Sequence, residues 1–160
     1  MIVYVLRHGI AIDRDAPDAP EESQRFLTEK GQRRTKAAVR GMTALEIAPE
    51  VILSSPWLRA EQTAEIARKR LAPSVEIELT DSLLPDAPTD RIIAELRARS
   101  AASAMVVGHA PHLDELVAHA VGARELFTKL DKAGLAILDM TGKGMARLHA
   151  VYPARALRTL

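Results

Sequence analysis

Apolar positions along this chain follow two rhythms that take turns. Short apolar or alternating runs at Ile2–Leu6, Val51–Ser54, Val75–Leu79 and Ala104–Val107 read as strands. Two later runs, Gly134–Met140 and Met145–Val151, are separated by "TGKG" and read as a terminal hairpin. Between the strands, apolar residues recur at helical spacing over Glu29 to about Leu45, Trp57–Leu71, Thr89–Arg99 and Pro111–Val121. This alternation predicts an α/β fold, a three-layer α/β/α sandwich with a mostly parallel central sheet. The polar stretch "DRDAPDAPEESQR", residues 13–25, breaks both rhythms and reads as a long loop, a kind of segment that is often functional. No repeat or linker interrupts the pattern, so one domain over residues 1–160 is expected.

The chemistry gathers where strands end. "YVLRHGIA" places Arg7, His8 and Gly9 directly after the first apolar run. In "ILSSPWLRAEQTA", Ser55 suits an N-cap and Pro56 the first helical position, which puts Arg59 in the first turn of a helix. Helical side chains tilt toward the N-terminus, so its guanidinium reaches back over the strand end. In "MVVGHAPHLDEL", a strand again ends in a glycine and a histidine, Gly108 and His109, before Pro111 opens the next helix. If these three strands are parallel neighbours, Arg7, His8, Arg59 and His109 emerge at one sheet edge, the edge where open α/β sheets bind ligands. Two arginines and a helix N-terminus suit a phosphate, and two histidines can divide nucleophile and proton-donor work.

Composition narrows the partners. With 160 residues, 48% hydrophobic and 27% charged, the chain has enough material for a real core. Its 22 basic and 21 acidic residues leave a net charge of +1, and only 3% of residues are aromatic, which disfavours nucleic acid as a partner. No apolar run is long enough to span a bilayer, and the first run is too short for a signal peptide, so no membrane is implicated. The absence of cysteine removes disulfides, thiolate metal sites and a cysteine nucleophile. A cytoplasmic monomer is expected.

"RHG" after the first strand, "LTEKG" at residues 27–31, "SSPWLRAEQTA" and the late "GH" resemble the histidine phosphatase superfamily, with a phosphoglycerate mutase-like fold. The short length and the wording of "SPWLRAEQT" are most similar to its SixA-type phosphohistidine phosphatases. The resemblance implies that His8 is a nucleophile, transiently phosphorylated on its distal ring nitrogen. It further implies that the proximal nitrogen donates to the Gly9 carbonyl, and that Arg7, Arg59 and His109 surround the phosphoryl group. No cofactor or metal is implied. Two departures stand out. Ile10 follows "RHG" where many members carry a polar residue. The region after the third strand, where larger members supply a glutamate acid, reads "TDSLLPDAPTD", with Asp81, Asp86 and Asp90 as possible acids or ordinary loop and cap residues.

The missing glutamate itself favours a phosphohistidine substrate, because a protonated imidazole leaves readily whereas an alkoxide needs a proton from a dedicated acid. A phosphorylated protein is therefore the expected partner. The alternatives are a small-molecule phosphomonoesterase with the same site and a non-catalytic phosphate-binding module. Trp57 belongs to the site rim or packs on the sheet, and Gln62 and Thr63 are expected to orient the helix. Lys129 and Lys132 either add positive potential or form a solvated loop. His109, His112 and His119 do not match a zinc spacing, and His149 falls in the last strand without a role.

Overall fold

The computed structural model describes residues 1–160. Its six strands are β1 (Ile2–Arg7), β2 (Val51–Ser54), β3 (Ile77–Leu79), β4 (Ser103–Gly108), β5 (Leu135–Asp139) and β6 (Arg147–Tyr152), in the sheet order β3-β2-β4-β1-β5-β6. β3, β2, β4 and β1 run parallel. β5 is antiparallel to β1, and β6 to β5, so the sheet is mixed and ends in the expected hairpin. β2, β4 and β1 are neighbours, so the three candidate strand ends lie side by side.

Residue parity in the strands sorts the core into two halves. Val3 and Val5 pack with Ile92 and Leu96 of α3 (Thr89–Arg97) and with Leu113, Leu116 and Val117 of α4 (His112–Val121). Leu6, Ile52 and Met105 face the other way, against α1 (Glu29–Ala44), α2 (Leu58–Leu71) and α5 (Ala154–Leu157). The two clusters hold 17 buried residues each, so the sheet is covered equally on both faces. That is why β1 and β4 are continuous apolar runs rather than alternating ones.

Several boundaries differ from the sequence reading. β3 begins at Ile77 rather than Val75, because Val75 N–H is taken up in a turn to the Ala72 carbonyl. The segment is one of the sheet's two edge strands, paired only with β2. α2 begins at Leu58 with Trp57 at the N-cap, so Ser55 is not the cap and Pro56 precedes the helix. α3 stops at Arg97, and α4 starts at His112 after Pro111. The hairpin strands are shorter than expected and carry an irregularity at Ile137–Leu138.

α5 lies outside every expected element. At four residues it is too short to show a helical period, and it is held by packing on α1. A Cβ on Gly41 would overlap the Leu157 carbonyl oxygen, so glycine permits this approach. Residues 13–25 form a loop closed at its base by a bridge between Ala11 and Leu27 and by Ile12 N–H to Phe26 C=O, 2.9 Å. The loop contains one 3-10 turn, Glu22–Gln24.

Candidate active site

His8 leaves β1 one residue past its last paired position, and its N–H still bonds to the Gly108 carbonyl of β4 (3.0 Å). Its Nδ1 lies 2.7 Å from the Gly9 carbonyl oxygen. A carbonyl only accepts, so this contact fixes the proton on Nδ1 and leaves a lone pair on Nε2. That lone pair receives the Nε–H of Arg59 at 3.3 Å. Gly9 is in turn held by Thr63 of α2, whose hydroxyl accepts the Gly9 N–H (3.0 Å) and donates to the Arg59 carbonyl (2.7 Å). A side chain at Gly9 would run into Thr35 of α1, so glycine is required here by close approach and not by a left-handed backbone.

Arg59 is buried in the first turn of α2, and each of its three guanidinium nitrogens donates one hydrogen bond within the protein, Nε to His8. Nη1 donates to the Glu22 carbonyl (2.7 Å) and Nη2 to the Glu22 carboxylate (3.0 Å). The guanidinium carbon sits 4.6 Å from the centre of the Trp57 ring. Burial pushes its pKa down to about 10, helped by the neighbouring Arg25 and opposed by Glu22, which leaves it charged at neutral pH. Glu22 also accepts from Arg25 Nη2 at 2.7 Å and lies 3.9 Å from Arg14 Nη2. Burial alone would raise the Glu22 carboxyl, but the Arg25 hydrogen bond and the charges of Arg25, Arg59 and Arg14 outweigh it and hold it low. The loop over residues 13–25 is therefore strapped across the site by an arginine–glutamate network.

His109 comes from the end of β4. Its ring centre is 5.2 Å from that of His8 and 5.0 Å from Trp57, which meets it edge-on. Its Nε2 is 2.8 Å from the Ser55 hydroxyl, and its Nδ1 is buried with no protein partner. Burial, then the fields of His8, Arg59, His112 and Arg7, push the His109 pKa down to about 2. Burial likewise lowers His8 to about 3. The Gly9 hydrogen bond works against that shift, while Arg59, Arg7 and Lys132 add to it. Both rings are neutral at pH 7. Arg7 is anchored by Nη1 to the Leu130 carbonyl (2.6 Å), in a loop that buried Asp114 organises through Leu130 N–H (2.9 Å) and the Thr128 hydroxyl (3.2 Å).

These groups line one cavity of about 510 Å³. The structure thus brings Arg7, His8, Arg59 and His109 together, with Trp57 and Lys132 on the same lining and Gly9 just behind His8. Trp57 is at the rim against His109 and not on the sheet. Gln62 accepts the Leu27 N–H (2.7 Å) and, like Thr63, positions backbone without reaching the cavity.

Asp81, Asp86 and Asp90 do not reach the cavity either, and all three are exposed. From β3 the chain turns inward on Leu83, which is fully buried, and leaves the aspartates in solvent; Pro85 is the part of this segment that reaches the lining. The acidic residues on the lining are instead Asp13 and Glu22 of the loop. Glu22 and Arg25 carry little signal in the sequence beyond a glutamate and an arginine three apart in "ESQR". Lys129 is exposed and off the lining. His119 Nδ1 meets the Thr89 hydroxyl at 2.8 Å, and His149 lies 3.7 Å from Asp139. No group of three or more His, Cys, Asp or Glu side chains is arranged to hold a metal ion.

A histidine unprotonated on Nε2, flanked by a second neutral histidine and two arginines at the edge of a mainly parallel sheet, is a phosphoryl-transfer arrangement. Residues 3–84 match the histidine phosphatase superfamily (branch 1), and the chain belongs to that superfamily and is a phosphatase. Within it the chain is SixA-like. It is 33% identical over 121 residues to the phosphohistidine phosphatase SixA of Escherichia coli (strain K12), an alignment covering 74% of this chain and 73% of that protein. It is 39% identical over 155 residues to an uncharacterised protein of Picosynechococcus sp., covering 94% of this chain and 90% of that one. Its fold matches the solved structure of the protein histidine phosphatase SixA complexed with tungstate, with a TM-score of 0.88 and 28% identity over 98% of this chain and 99% of the other. The fold of the putative SixA from Agrobacterium tumefaciens is also shared, at a TM-score of 0.78 and 24% identity over 94% of this chain and 96% of the other.

Proposed function

We propose that this chain removes the phosphoryl group from phosphohistidine in a protein, through a phosphohistidine intermediate on His8. The observation that carries the reading is the His8 ring. Nδ1–H is tied to Gly9 and Nε2 is left with a lone pair beside Arg59. The substrate's phosphohistidine ring takes a proton from solvent on its other nitrogen, Nε2 of His8 attacks phosphorus, and the N–P bond breaks with its electron pair going to a neutral imidazole that departs. Water then attacks phospho-His8, the new N–P bond breaks, and inorganic phosphate leaves with Nε2 restored. Arg7, Arg59 and Nδ1–H of His109, whose Nε2 is engaged by Ser55, stabilise charge on the phosphoryl oxygens. The positive charge there comes from the two arginines, while neutral His109 contributes a hydrogen bond.

Two features support phosphohistidine over an alkyl ester. Glu22 is held ionised by arginines, so it is poorly suited to protonate an alkoxide. The likeness to phosphohistidine phosphatase SixA of Escherichia coli points the same way. The test is phosphate release from a phosphohistidine-bearing protein and from an aryl phosphate, by wild type and His8→Ala. Faster release from the protein, abolished in His8→Ala, is expected. A preference for the aryl phosphate would favour a small-molecule phosphomonoesterase, and binding without release by the wild type would leave a phosphate-binding module.

A further inference from the structure

Beside the candidate active site lies a second cavity, of about 370 Å³, between the start of α1, α5 and the loop before β5. Arg34 of α1, Arg155 of α5, Arg158 just after it, and Lys132 line it, and Arg7 and Lys132 belong to both cavities. The single acid on this lining is Asp131, whose field falls on Arg7. None of Arg34, Lys132, Arg155 or Arg158 has a carboxylate within 4.0 Å, and none donates a side-chain hydrogen bond.

Arg14, Arg25, Arg33, Arg59, Arg68, Lys69 and Arg99 have acidic partners, whereas other lysines and arginines are solvated singly on the surface, and the chain as a whole carries a net charge of only +1. What sets this hollow apart is convergence: four cations without partners meet on one lining that holds a single acid, in a chain of nearly balanced charge. Two buried polar atoms of the lining residues also lack partners, the Thr35 hydroxyl and Arg7 Nε.

We propose that this cavity is a second oxyanion site, which takes a carboxylate side chain from the surface of the phosphorylated protein while its phosphoryl group sits at His8. The inference rests on the phosphoprotein reading above and names what that protein must present: an acidic residue close to its phosphohistidine. Because Arg7 and Lys132 form the shared lining, the two anions would bind side by side. An aryl phosphate has no second anion, so it uses the catalytic cavity alone. Long-range attraction to the same cations would also steer an acidic partner toward the site.

The experiment compares wild type with the triple variant Arg34→Ala/Arg155→Ala/Arg158→Ala, which leaves Arg7, Lys132 and the His8 site untouched. Steady-state kinetics are measured on a phosphohistidine-bearing phosphotransfer protein and on para-nitrophenyl phosphate. The expected result is a roughly tenfold rise in KM for the phosphoprotein, with kcat and all aryl phosphate parameters unchanged. The triple lysine variant at the same positions should recover most of the KM. Unchanged phosphoprotein kinetics, or a parallel loss on both substrates, would overturn the proposal. If wild type hydrolyses the aryl ester but not the phosphoprotein, the substrate reading has failed instead. Titration with hexaglutamate peptide then decides the cavity: binding that is lost in the alanine variant supports a carboxylate site, and no binding by wild type overturns it.

Discussion

Thr63 touches neither cavity, yet the geometry at His8 passes through its hydroxyl. That oxygen accepts from Gly9 N–H and donates to the Arg59 carbonyl, and so ties the residue that orients the imidazole to the helix that carries the arginine. Thr63→Val keeps the shape of a fully buried side chain and deletes only the hydroxyl. Gly9 N–H then loses its acceptor, and a buried donor left unpaired costs about 1–3 kcal/mol. For a domain of this size each kcal/mol moves the thermal midpoint by about 2–4 °C, so a fall of about 2–12 °C is expected. The functional loss should exceed what stability explains, because Gly9 no longer fixes the Nδ1–H tautomer and ring angle. A misplaced nucleophile costs up to about 10²-fold, and the loss should fall on kcat with KM little changed. The assay is hydrolysis of para-nitrophenyl phosphate well below the variant's midpoint, with Thr63→Ser as the control that restores the hydroxyl. Wild-type kcat in Thr63→Val, or no recovery in Thr63→Ser, would refute the chain of contacts from Thr63 through Gly9 to His8.

Acid should weaken the fold through the two buried histidines. His8 and His109 are neutral when folded, with pKa values pushed to about 3 and about 2 against 6.5 when exposed. Between those limits the unfolded chain binds more protons, so the stabilisation is complete above pH 6.5 and is lost as pH falls toward the folded values. By about pH 4.5 this removes up to about 2.7 kcal/mol per histidine, and urea denaturation across that range should show a shallower fall in His8→Ala. Glu22→Gln removes the carboxylate that neutralises Arg59, Arg25 and Arg14, so inorganic phosphate should inhibit the variant more tightly, by up to about fivefold, as read from Ki. A weaker or unchanged Ki would mean that the strap does not compete with the anion.

The parts of this molecule legible in its sequence are those fixed by local pattern. Continuous apolar runs gave the central strands because β1 and β4 are buried on both faces. Arg7, His8, Arg59 and His109 were legible because each follows a strand end within a few residues, where parallel topology decides position. Glu22 was not. It sits mid-loop in a segment without period, and its place depends on three arginines drawn from two separate elements. The aspartates after β3 misled for a related reason: sequence distance from the strand was right, but burial of Leu83 turns the chain so that they face solvent. α5 is visible only through its packing against Gly41.

In the proposed mechanism the electrostatics of His8 reconcile two demands that look opposed. A nucleophilic imidazole must be unprotonated on Nε2, whereas the same atom must then hold a phosphoryl group long enough for water to attack it. Positive charge from Arg59, Arg7 and Lys132 adds to burial in repelling a proton from that nitrogen. A phosphoryl group carries the opposite sign, so the same cations attract it to the atom from which they exclude the proton. Burial strengthens both effects, since it lowers the dielectric in which they act. The site thus discriminates between two electrophiles at one lone pair by their charge. That discrimination needs fixed cations and a fixed tautomer, which is what Leu130 and Asp114 provide for Arg7, Glu22 and Trp57 for Arg59, and Gly9 for His8.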